Sequence, residues 1–365
     1  MPPMDLEELR TRLSAIDRQI LELVAERQAL STQIGMVKQA AGSPTRDFAR
    51  EKQVLDAARD RAVDLGLSPE LAASMMQLLI RASLTHQERV RVRAEGKGEG
   101  RQALVIGGAG KMGRWFAQFL DSQGYAVTVA DPSTGAGEFV QVPDWRDTPD
   151  EFDVTVIAAP IAVTAKVLEE LTARRRHGLV FDISSLKSPL SDALRNAARQ
   201  GLLVTSIHPM FGPDTELLSG RHVLFLETGA PDATAAARAL FASTMAEQIE
   251  MPLDDHDRLI AYVLGLAHAL NIAFFSALAD SGEALPKLEQ LSRTTFDAQL
   301  EVAARVAAEN PELYFEIQAD NPHGAEAVHA LQAAVRRFGE VVEQRDRDAF
   351  VELMERGRAY LQRRG

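Results

Sequence analysis

The chain has 365 residues, of which 46% are hydrophobic and 25% charged, a composition typical of a soluble globular protein with two or three domains. It contains no cysteine, which excludes disulfides, thiol nucleophiles and cysteine metal sites, and we expect no metal. The formal net charge of −12 argues against a nucleic-acid partner, because phosphate neutralisation needs clustered Lys and Arg.

The N-terminal segment is predicted to be one long helix from Asp5 to about Ala40. It begins with Asp5-x-x-Glu8, a capping-box pattern. A helix of that length measures about 50 Å and needs a partner, so the segment predicts a dimer. Apolar residues recur at spacings of three and four, as in a coiled coil or bundle, at Leu6, Leu9, Leu13, Ile16, Ile20, Leu23, Leu30, Ile34 and Val37.

Polar residues mark the inner faces of this helix and of two further predicted helices. Arg27 takes a seam position, where a lone polar side chain can also set register or reach water. Lys38 returns to nearly the same face about three turns later. Cations, carboxylates, a hydroxyl and an amide arranged in this way suit a small dianion. The other members of the set are Asp47, Arg50, Glu51, Ser83 and Gln87.

The stretches LRTRLSAIDRQILELVAERQAL, VK, RDFAREK and SLTHQ, within residues 5–90, resemble the all-helical chorismate mutase family. The resemblance implies that Arg27 and Arg10 grip the two carboxylates of chorismate, with Arg10 supplied by the other subunit of an entwined dimer. It implies that Lys38 and Gln87 hydrogen-bond the breaking ether oxygen. It also implies that Glu51, helped by Asp47, holds the hydroxyl, while Arg50 and Ser83 complete the pocket. Such a rearrangement to prephenate needs positioning and electrostatic stabilisation.

The stretch Arg91–Gly100, RVRAEGKGEG, is charged and glycine-rich without apolar periodicity, which is typical of a linker. We therefore predict an all-α domain over residues 1–92, a linker over 93–101, a Rossmann-like α/β domain over 102–253 and an all-α substrate and dimerisation domain over 254–365.

A dinucleotide-binding fingerprint lies between Leu104 and Asp131. It runs from Gly108 through Gly110, Lys111 and Met112 to Gly113, between a predicted strand and a predicted helix, with an acid at the end of the next strand. The first glycine is expected to make the tight turn, the second to admit a pyrophosphate at the helix N-terminus, and the third to allow close packing. The competing interpretation is an ordinary glycine-rich turn.

Asp131 favours NAD over NADP, because a carboxylate accepts hydrogen bonds from a ribose hydroxyl and repels a 2′-phosphate. The competing interpretation of Asp131 is a turn carboxylate before Pro132. Further strands are predicted at Ala126–Ala130, Val154–Ala159, Leu179–Ile183, Leu203–Ile207 and Val223–Glu227. Their alternation with helices indicates a doubly wound, largely parallel sheet, with a mixed edge allowed by the short gap before the last strand.

Two polar clusters follow strands of this sheet, where ligands of such sheets bind. Lys187 closes the segment DISSLK, and His208 opens HPMFGPD. A histidine there suits a general base, with an ordinary pKa of about 6.5, although a structural role is equally compatible with its position. VIGGAGKMG, VFDISSLK and SIHPMFGPD resemble the prephenate dehydrogenase family over residues 102 to about 360. The resemblance implies that His208 takes the proton of the ring hydroxyl while NAD accepts hydride, and that Lys187 binds substrate.

The last domain is predicted to be helical over His256–Ser281, Leu285–Glu309, Gly324–Gln344 and Arg347–Arg363. The resemblance implies that Arg305 binds the ring carboxylate and that His268 lies near the substrate side chain. A solvated helix charge and a core histidine are the competing interpretations. Asp297 stands where some relatives have a further arginine, which leaves open the choice between prephenate and arogenate.

The apolar stretch Leu259–Ala279 could span a bilayer, but the polar residues within it favour a helix buried in the domain or at a subunit interface. No secretory signal pattern precedes the first helix, so we expect a cytoplasmic protein. The two halves together resemble the fused chorismate mutase/prephenate dehydrogenase family, with tyrosine as feedback inhibitor. The alternatives are a dehydrogenase whose helical domain only dimerises, and a non-catalytic NAD-binding regulator.

Overall fold

The structure, a computed structural model, describes residues 5–135 and 137–363. The chain forms two compact units. The first unit runs to Pro160 and adds Lys166–Ile183 and Ala197–Glu250. The second unit comprises Ile161–Ala165, Ser184–Asn196 and the chain from Met251 onward. The N-terminal helices and most of the sheet therefore belong to one unit.

Three helices begin the first unit: α1 (Leu6–Ala40), α2 (Phe48–Asp64) and α3 (Pro69–Glu95). The capping box at the start of α1 is confirmed, since the Asp5 carboxylate accepts from the Glu8 amide at 2.8 Å and Glu8 accepts from the Asp5 amide at 3.1 Å. The apolar seam of α1 stays exposed in a single chain; Leu13 is 60% and Val37 70% exposed. A seam of this kind is available to a second subunit.

The prediction of a linker over Arg91–Gly100 is wrong for its first half. Helix α3 continues to Glu95, and Val92 is buried in the hydrophobic core of the following domain. The glycines allow close packing: a Cβ at Gly96 would lie 2.5 Å from the Gln123 carbonyl oxygen, and one at Gly98 would lie 2.4 Å from the Tyr125 ring. The segment therefore connects the two domains rigidly.

An eight-stranded sheet follows, with the order β3-β2-β1-β4-β5-β6-β7-β8. Strands β1 to β6 are parallel and β7 pairs antiparallel with β6, so the expected mixed edge is confirmed. The strands are β1 (Gln102–Ile106), β2 (Ala126–Ala130), β3 (Val140–Val142), β4 (Val154–Ile157), β5 (Leu179–Asp182), β6 (Val204–Pro209), β7 (His222–Glu227) and β8 (Glu247–Pro252). The sequence analysis missed β3 and β8, both at the edges of the sheet.

Helices of the α/β domain pack against this sheet around a core of phenylalanines. Phe116 contacts Phe181 and Phe241 with ring centroids 5.9 and 6.4 Å apart, and Phe225 contacts Phe241 at 5.8 Å. All four rings are fully buried. The helices are α4 (Lys111–Ser122), α5 (Ile161–Ala173), α6 (Ser191–Arg199) and α7 (Pro231–Leu240).

The C-terminal helices are shorter and more numerous than predicted. They are α8 (Leu253–Ile260), a π-helical turn (Ala261–Leu266), α9 (Ala267–Asp280), α10 (Leu285–Leu291), α11 (Thr295–Ala307), α12 (Pro311–Ala319), α13 (Gly324–Glu343) and α14 (Arg347–Gln362). The single helix predicted over Leu285–Glu309 is wrong, because the chain breaks at Thr294, whose φ of 55° is left-handed. Helix α12 was missed.

The apolar stretch within Leu253–Asp280 is long and hydrophobic enough to cross a membrane by length and composition. Its burial inside the domain, one of the two expectations, is wrong: Tyr262 is 45%, Val263 56% and Leu270 46% exposed in the single chain. The other expectation, a subunit interface, stays a prediction.

Candidate active sites

Arg27 lies at the junction of α1 and α3. Its Nη1 donates to Ser83 Oγ at 2.7 Å and to the Leu79 carbonyl oxygen at 3.0 Å. Ser83 is buried, with 5% of its surface exposed, so its hydroxyl faces α1 and not the solvent. Two residues that the sequence analysis assigned to one pocket are therefore in direct contact, and the guanidinium has donors left for an anion.

Gln87 and Lys38 lie near a cavity of about 160 Å³ between α1, α3 and the turn that follows α1. Gln87 Nε2 donates to the carbonyl oxygen and to Oγ of Ser31, both at 2.7 Å. Lys38 Nζ donates to the Thr45 carbonyl oxygen at 3.1 Å, and Thr45 lines the same cavity as Gln87. Both side chains are thus held at one end of the helical domain by oxygens that a ligand can replace.

The two carboxylates at the start of α2 make different contacts. Asp47 caps the helix by accepting from the Arg50 amide at 2.9 Å. Glu51 forms a bidentate ion pair with Arg46, from Nε at 2.8 Å and Nη2 at 2.9 Å. The Arg50 side chain is exposed and donates to Gln53 at 3.3 Å. The sequence analysis gave Arg46 no role. Its opposite charge and its spacing of five residues from Glu51 were the signal that could have suggested this ion pair.

Arg10 lies far from Arg27 along the same helix. Seventeen residues at the α-helical rise separate them by roughly 25 Å. The Arg10 side chain is 68% exposed and meets Glu7 at 3.9 Å, a weak surface contact. The structure therefore does not bring Arg10 to the Arg27 pocket of its own chain, as expected of a residue that serves a partner subunit.

The glycine loop between β1 and α4 is built from four glycines, one more than the fingerprint assigned. Gly107, with φ of +80°, makes the turn that was attributed to Gly108, and its Cβ would lie 2.6 Å from the Ala158 carbonyl oxygen. Gly108 instead fits beneath Val129, where a Cβ would lie 2.6 Å from a methyl group. Gly110 caps α4 without a side chain, and Lys111 and Met112 begin that helix. This open helix N-terminus fits a diphosphate.

Gly113 packs directly on the loop. A Cβ there would lie 2.3 Å from the Gly107 carbonyl oxygen and 2.7 Å from the Gly108 Cα, both backbone atoms. We expect Gly113→Ala to weaken NAD binding at least tenfold, as measured by fluorescence titration, because the loop must shift by more than a diphosphate contact tolerates. Gly339→Ala, in open space on α13, is the matched control. Equal affinities in the two variants would contradict this function of the loop.

Asp131 follows β2 and faces the loop. Its Oδ2 accepts from the Ala109 amide at 3.1 Å and its Oδ1 from the Ser133 amide at 2.8 Å. The two interpretations of Asp131 are therefore compatible, since it stabilises a turn and places a carboxylate beside the glycine loop. A carboxylate oxygen has lone pairs to spare for a ribose hydroxyl.

His208 is a strand residue, not a loop residue as predicted. It lies in β6, paired with Leu224 of β7, and is 5% exposed. The strand runs two residues beyond the predicted end because β7 supplies antiparallel partners to His208 and Pro209. The ring is held by a rigid element, which suits a group that must be positioned accurately.

In the second unit, Lys187 is fully buried. Its amide and that of Ser188 donate to the Asp257 carboxylate at 2.9 and 2.7 Å, and His256 Nδ1 contacts Asp257 at 2.6 Å. Asn321 Nδ2 donates to the Asp257 carbonyl oxygen at 2.9 Å. The sequence analysis gave no role to Asp257 and missed this cluster, which fixes the loop that follows β5.

The Asp257 cluster predicts an acid-dependent stability. Burial raises the pKa of Asp257, but the hydrogen bonds from His256, Ser188 and Lys187 outweigh it and hold the pKa well below its ordinary value. The ionised carboxylate thus stabilises the fold above the unfolded pKa of about 3.9, and this contribution disappears as pH falls through the folded pKa.

We expect Asp257→Asn to lower the urea midpoint of unfolding at pH 7, by the equivalent of about 2–4 kcal/mol, and to lose much of that difference near pH 2. Asp255→Asn, on the exposed side of α8, is the control. A constant difference from pH 7 to pH 2 would contradict the ionised state of Asp257.

His268 and Arg305 also lie in the second unit. The His268 ring stacks on Tyr314 with centroids 4.1 Å apart, and burial lowers its pKa, so the ring is neutral at pH 7. Among the described residues, its Nδ1 has no hydrogen-bond partner. Arg305 is 71% exposed and meets Glu301 at 3.3 Å, a surface pair that an anion can displace at low cost. Asp297 accepts from Ser292 Oγ.

This geometry is typical of a dinucleotide-binding α/β domain that follows an N-terminal helical domain. Three families match successive parts of the chain: Chorismate mutase type II over residues 9–88, the Prephenate dehydrogenase nucleotide-binding domain over 116–246, and the Prephenate dehydrogenase dimerization domain over 252–356. The T-protein of Enterobacter agglomerans is 28% identical over 354 residues, covering 95% of this chain and 90% of the relative.

A 4-amino-4-deoxyprephenate dehydrogenase of Streptomyces pristinaespiralis is 33% identical over 275 residues, 72% of this chain and 92% of the relative. The solved prephenate dehydrogenase of Aquifex aeolicus has the same fold, with a TM-score of 0.58 at 17% identity, covering 71% of this chain and 98% of that one. The chain belongs to the bifunctional chorismate mutase/prephenate dehydrogenase family. It is an enzyme of tyrosine synthesis with both activities and with NAD as cofactor.

Proposed function

We propose that the two domains catalyse consecutive steps, the helical domain forming prephenate from chorismate and the remainder converting prephenate to 4-hydroxyphenylpyruvate. The observation that carries this proposal is the presence, in one chain, of the Arg27–Ser83 contact and of the glycine loop with His208 on the same sheet. The first pocket suits a dianion and the second a hydride transfer, and prephenate is the compound that links them.

In the mutase step the protein acts by positioning. Arg27, with Arg10 of the partner subunit, binds the two carboxylates and holds the substrate in its reactive conformer. Lys38 and Gln87 donate to the ether oxygen as its C–O bond breaks, in place of the Thr45 and Ser31 oxygens that they contact here. Glu51 accepts from the ring hydroxyl, Arg50 and Ser83 complete the pocket, and Asp47 holds the start of α2.

In the dehydrogenase step His208 accepts the proton of the ring hydroxyl of prephenate. NAD, when bound, accepts the hydride, and loss of carbon dioxide makes the ring aromatic. The loop Gly107–Gly113 and the N-terminus of α4 would hold the diphosphate, and Asp131 the ribose. Arg305 binds the ring carboxylate, while His268, neutral because of its burial, lies near the side chain.

For Lys187 we propose a supporting role instead of direct contact with substrate. Its side chain is fully buried, and its amide is held by Asp257. A buried lysine side chain cannot meet a ligand unless the loop moves. Its position therefore favours a residue that shapes the loop after β5.

The identity of the substrate is tested by the rate of NADH formation. Prephenate with NAD is expected to give a higher rate than prephenate with NADP, because Asp131 repels a 2′-phosphate. Prephenate and arogenate share the ring carboxylate that Arg305 is proposed to bind, so the two substrates are compared side by side with NAD. A higher rate with arogenate would show that Asp297 and its neighbours select an amino group. Equal rates of prephenate oxidation with NAD and with NADP would contradict the proposal that Asp131 selects NAD.

Tyrosine is expected to inhibit the dehydrogenase competitively against prephenate. Tyrosine carries a 4-hydroxyphenyl ring and a carboxylate, groups that His208 and the cationic side chains of the site recognise. In steady-state assays tyrosine should raise the KM for prephenate and leave kcat unchanged. A fall in kcat at constant KM would place its site elsewhere.

The dimer and the location also belong to this proposal. The exposed seam of α1 and the match of residues 252–356 to a dimerization domain support a homodimer. The similarity to the T-protein of Enterobacter agglomerans over 95% of this chain supports a cytoplasmic enzyme. Sedimentation at micromolar concentration tests the dimer directly, and a monomer would contradict the sharing of Arg10.

A further inference from the structure

Arg46 connects the helical domain with the nucleotide-binding domain. Its Nε and Nη2 hold the two oxygens of Glu51, and its Nη1 donates to Ser219 Oγ at 2.8 Å. The guanidinium also stacks on the Phe48 ring, 4.3 Å from its centroid. Arg46 and Glu51 are both largely buried, with side chains 30% and 19% exposed. The side chain that donates twice to Glu51 is therefore also bound to a residue 173 positions further along the sequence.

A second, independent contact fixes the segment that carries Ser219. Glu88 of α3 is 4% exposed, and its two oxygens accept from the amides of Leu218 and Met245 at 2.8 and 2.5 Å. The same segment is held from its other side, since Trp115 Nε1 donates to the Thr215 carbonyl oxygen at 2.9 Å. Thr215–Ser219 is thus a supported segment, not a free loop, and at least three of its residues contact the helical domain.

We propose that Ser219, a residue of the dehydrogenase half, positions the mutase site through Arg46 and Glu51. This inference rests on the proposed role of Glu51 in holding the hydroxyl of chorismate. Arg46 and Ser219 are positioning residues and do not touch the substrate.

The physical reason is electrostatic as well as geometric. Chorismate is a dianion, and an unpaired carboxylate beside it would repel it. The bidentate pair with Arg46 neutralises Glu51 and fixes the direction of its remaining lone pairs. Ser219 adds a hydrogen bond that keeps Arg46 in the orientation in which both of its other nitrogens face Glu51. Loss of this bond should therefore weaken chorismate binding before it changes the barrier.

The test uses full-length Ser219→Ala, with mutase and dehydrogenase kinetics measured on the same preparation. The KM for chorismate is expected to rise about three- to tenfold, less than the full worth of a hydrogen bond to a charged group, because Ser219 acts on the substrate only through Arg46 and Glu51. The mutase kcat and the dehydrogenase kcat with prephenate should change less than twofold. Ser122→Ala, whose hydroxyl donates to the Phe119 carbonyl oxygen of its own helix, is the matched control and should change neither activity.

A double-mutant cycle distinguishes positioning from general destabilisation. In a Glu51→Gln background, which removes one partner of the ion pair, Ser219→Ala should add less than a twofold effect. Arg46→Lys, which keeps the charge but not the forked donors, should lose more activity than Ser219→Ala. The inference fails if the effects of Ser219→Ala and Glu51→Gln multiply, if both activities fall together, or if Ser219→Ala behaves like Ser122→Ala. If Glu51→Gln itself retains full mutase activity, it is the proposed role of Glu51 that fails.

Discussion

His208→Asn is expected to lower the kcat of the dehydrogenase by about 10² to 10⁴, the usual contribution of a positioned general base. Asparagine preserves much of the shape of the buried ring and can still hydrogen-bond the ring hydroxyl, but it cannot accept a proton. The affinity for NAD should be unchanged, because the glycine loop lies on β1 and α4 and not on β6. The mutase activity of the same preparation should also be unchanged.

The control for this substitution is His222→Asn. His222 lies at the start of the neighbouring strand β7, is 45% exposed in its side chain and meets Glu247 at 3.0 Å. It tests whether the loss of any histidine at this edge of the sheet is harmful. Full turnover by His208→Asn, or equal losses in the two variants, would contradict the assignment of the base.

Arg27→Ala is expected to lower the mutase kcat/KM by about two to three orders of magnitude, the equivalent of roughly 3–4 kcal/mol. The substitution removes a cation from beside the buried hydroxyl of Ser83 and leaves one substrate carboxylate without a partner. Arg27→Lys should recover only part of the loss, because an ammonium group cannot donate to Ser83 and to a carboxylate with the same fork. Dehydrogenase activity with added prephenate should be unchanged.

Arg61→Ala provides the matched control. Arg61 lies on α2, is 68% exposed in its side chain and pairs with Asp64 at 3.2 Å. Mutase rates measured by the disappearance of chorismate absorbance should match those of the unmodified protein. If Arg27→Ala also retained its rate, the helical domain would serve dimerisation and not catalysis.

Much of the local structure could be predicted because its causes are local. The Asp5–Glu8 capping box and the seam of α1 depend on residues within one or two turns. The strand, glycine loop and helix around Gly108–Gly113 follow from neighbouring residues as well. Gly107 was misassigned because consecutive glycines leave open which of them adopts a positive φ.

The features that were missed depend on contacts between distant parts of the chain. Gly96 and Gly98 suggested flexibility, yet their function is close packing on the turn after α4, which periodicity cannot reveal. His208 was placed after its strand because the antiparallel partner that extends β6 comes later in the sequence. Asp257 binds amides 70 residues before it, and Arg46 binds Ser219. Such pairs become visible only when the fold brings them together.

The central claim is that one polypeptide makes prephenate and then consumes it. The most direct test supplies the purified protein with chorismate and NAD alone, and follows NADH by absorbance and 4-hydroxyphenylpyruvate by chromatography. We expect the two products in a ratio of one to one, after a lag during which prephenate accumulates. NADH formed from added prephenate, but not from chorismate, would contradict the account and leave a dehydrogenase with a helical dimerisation domain.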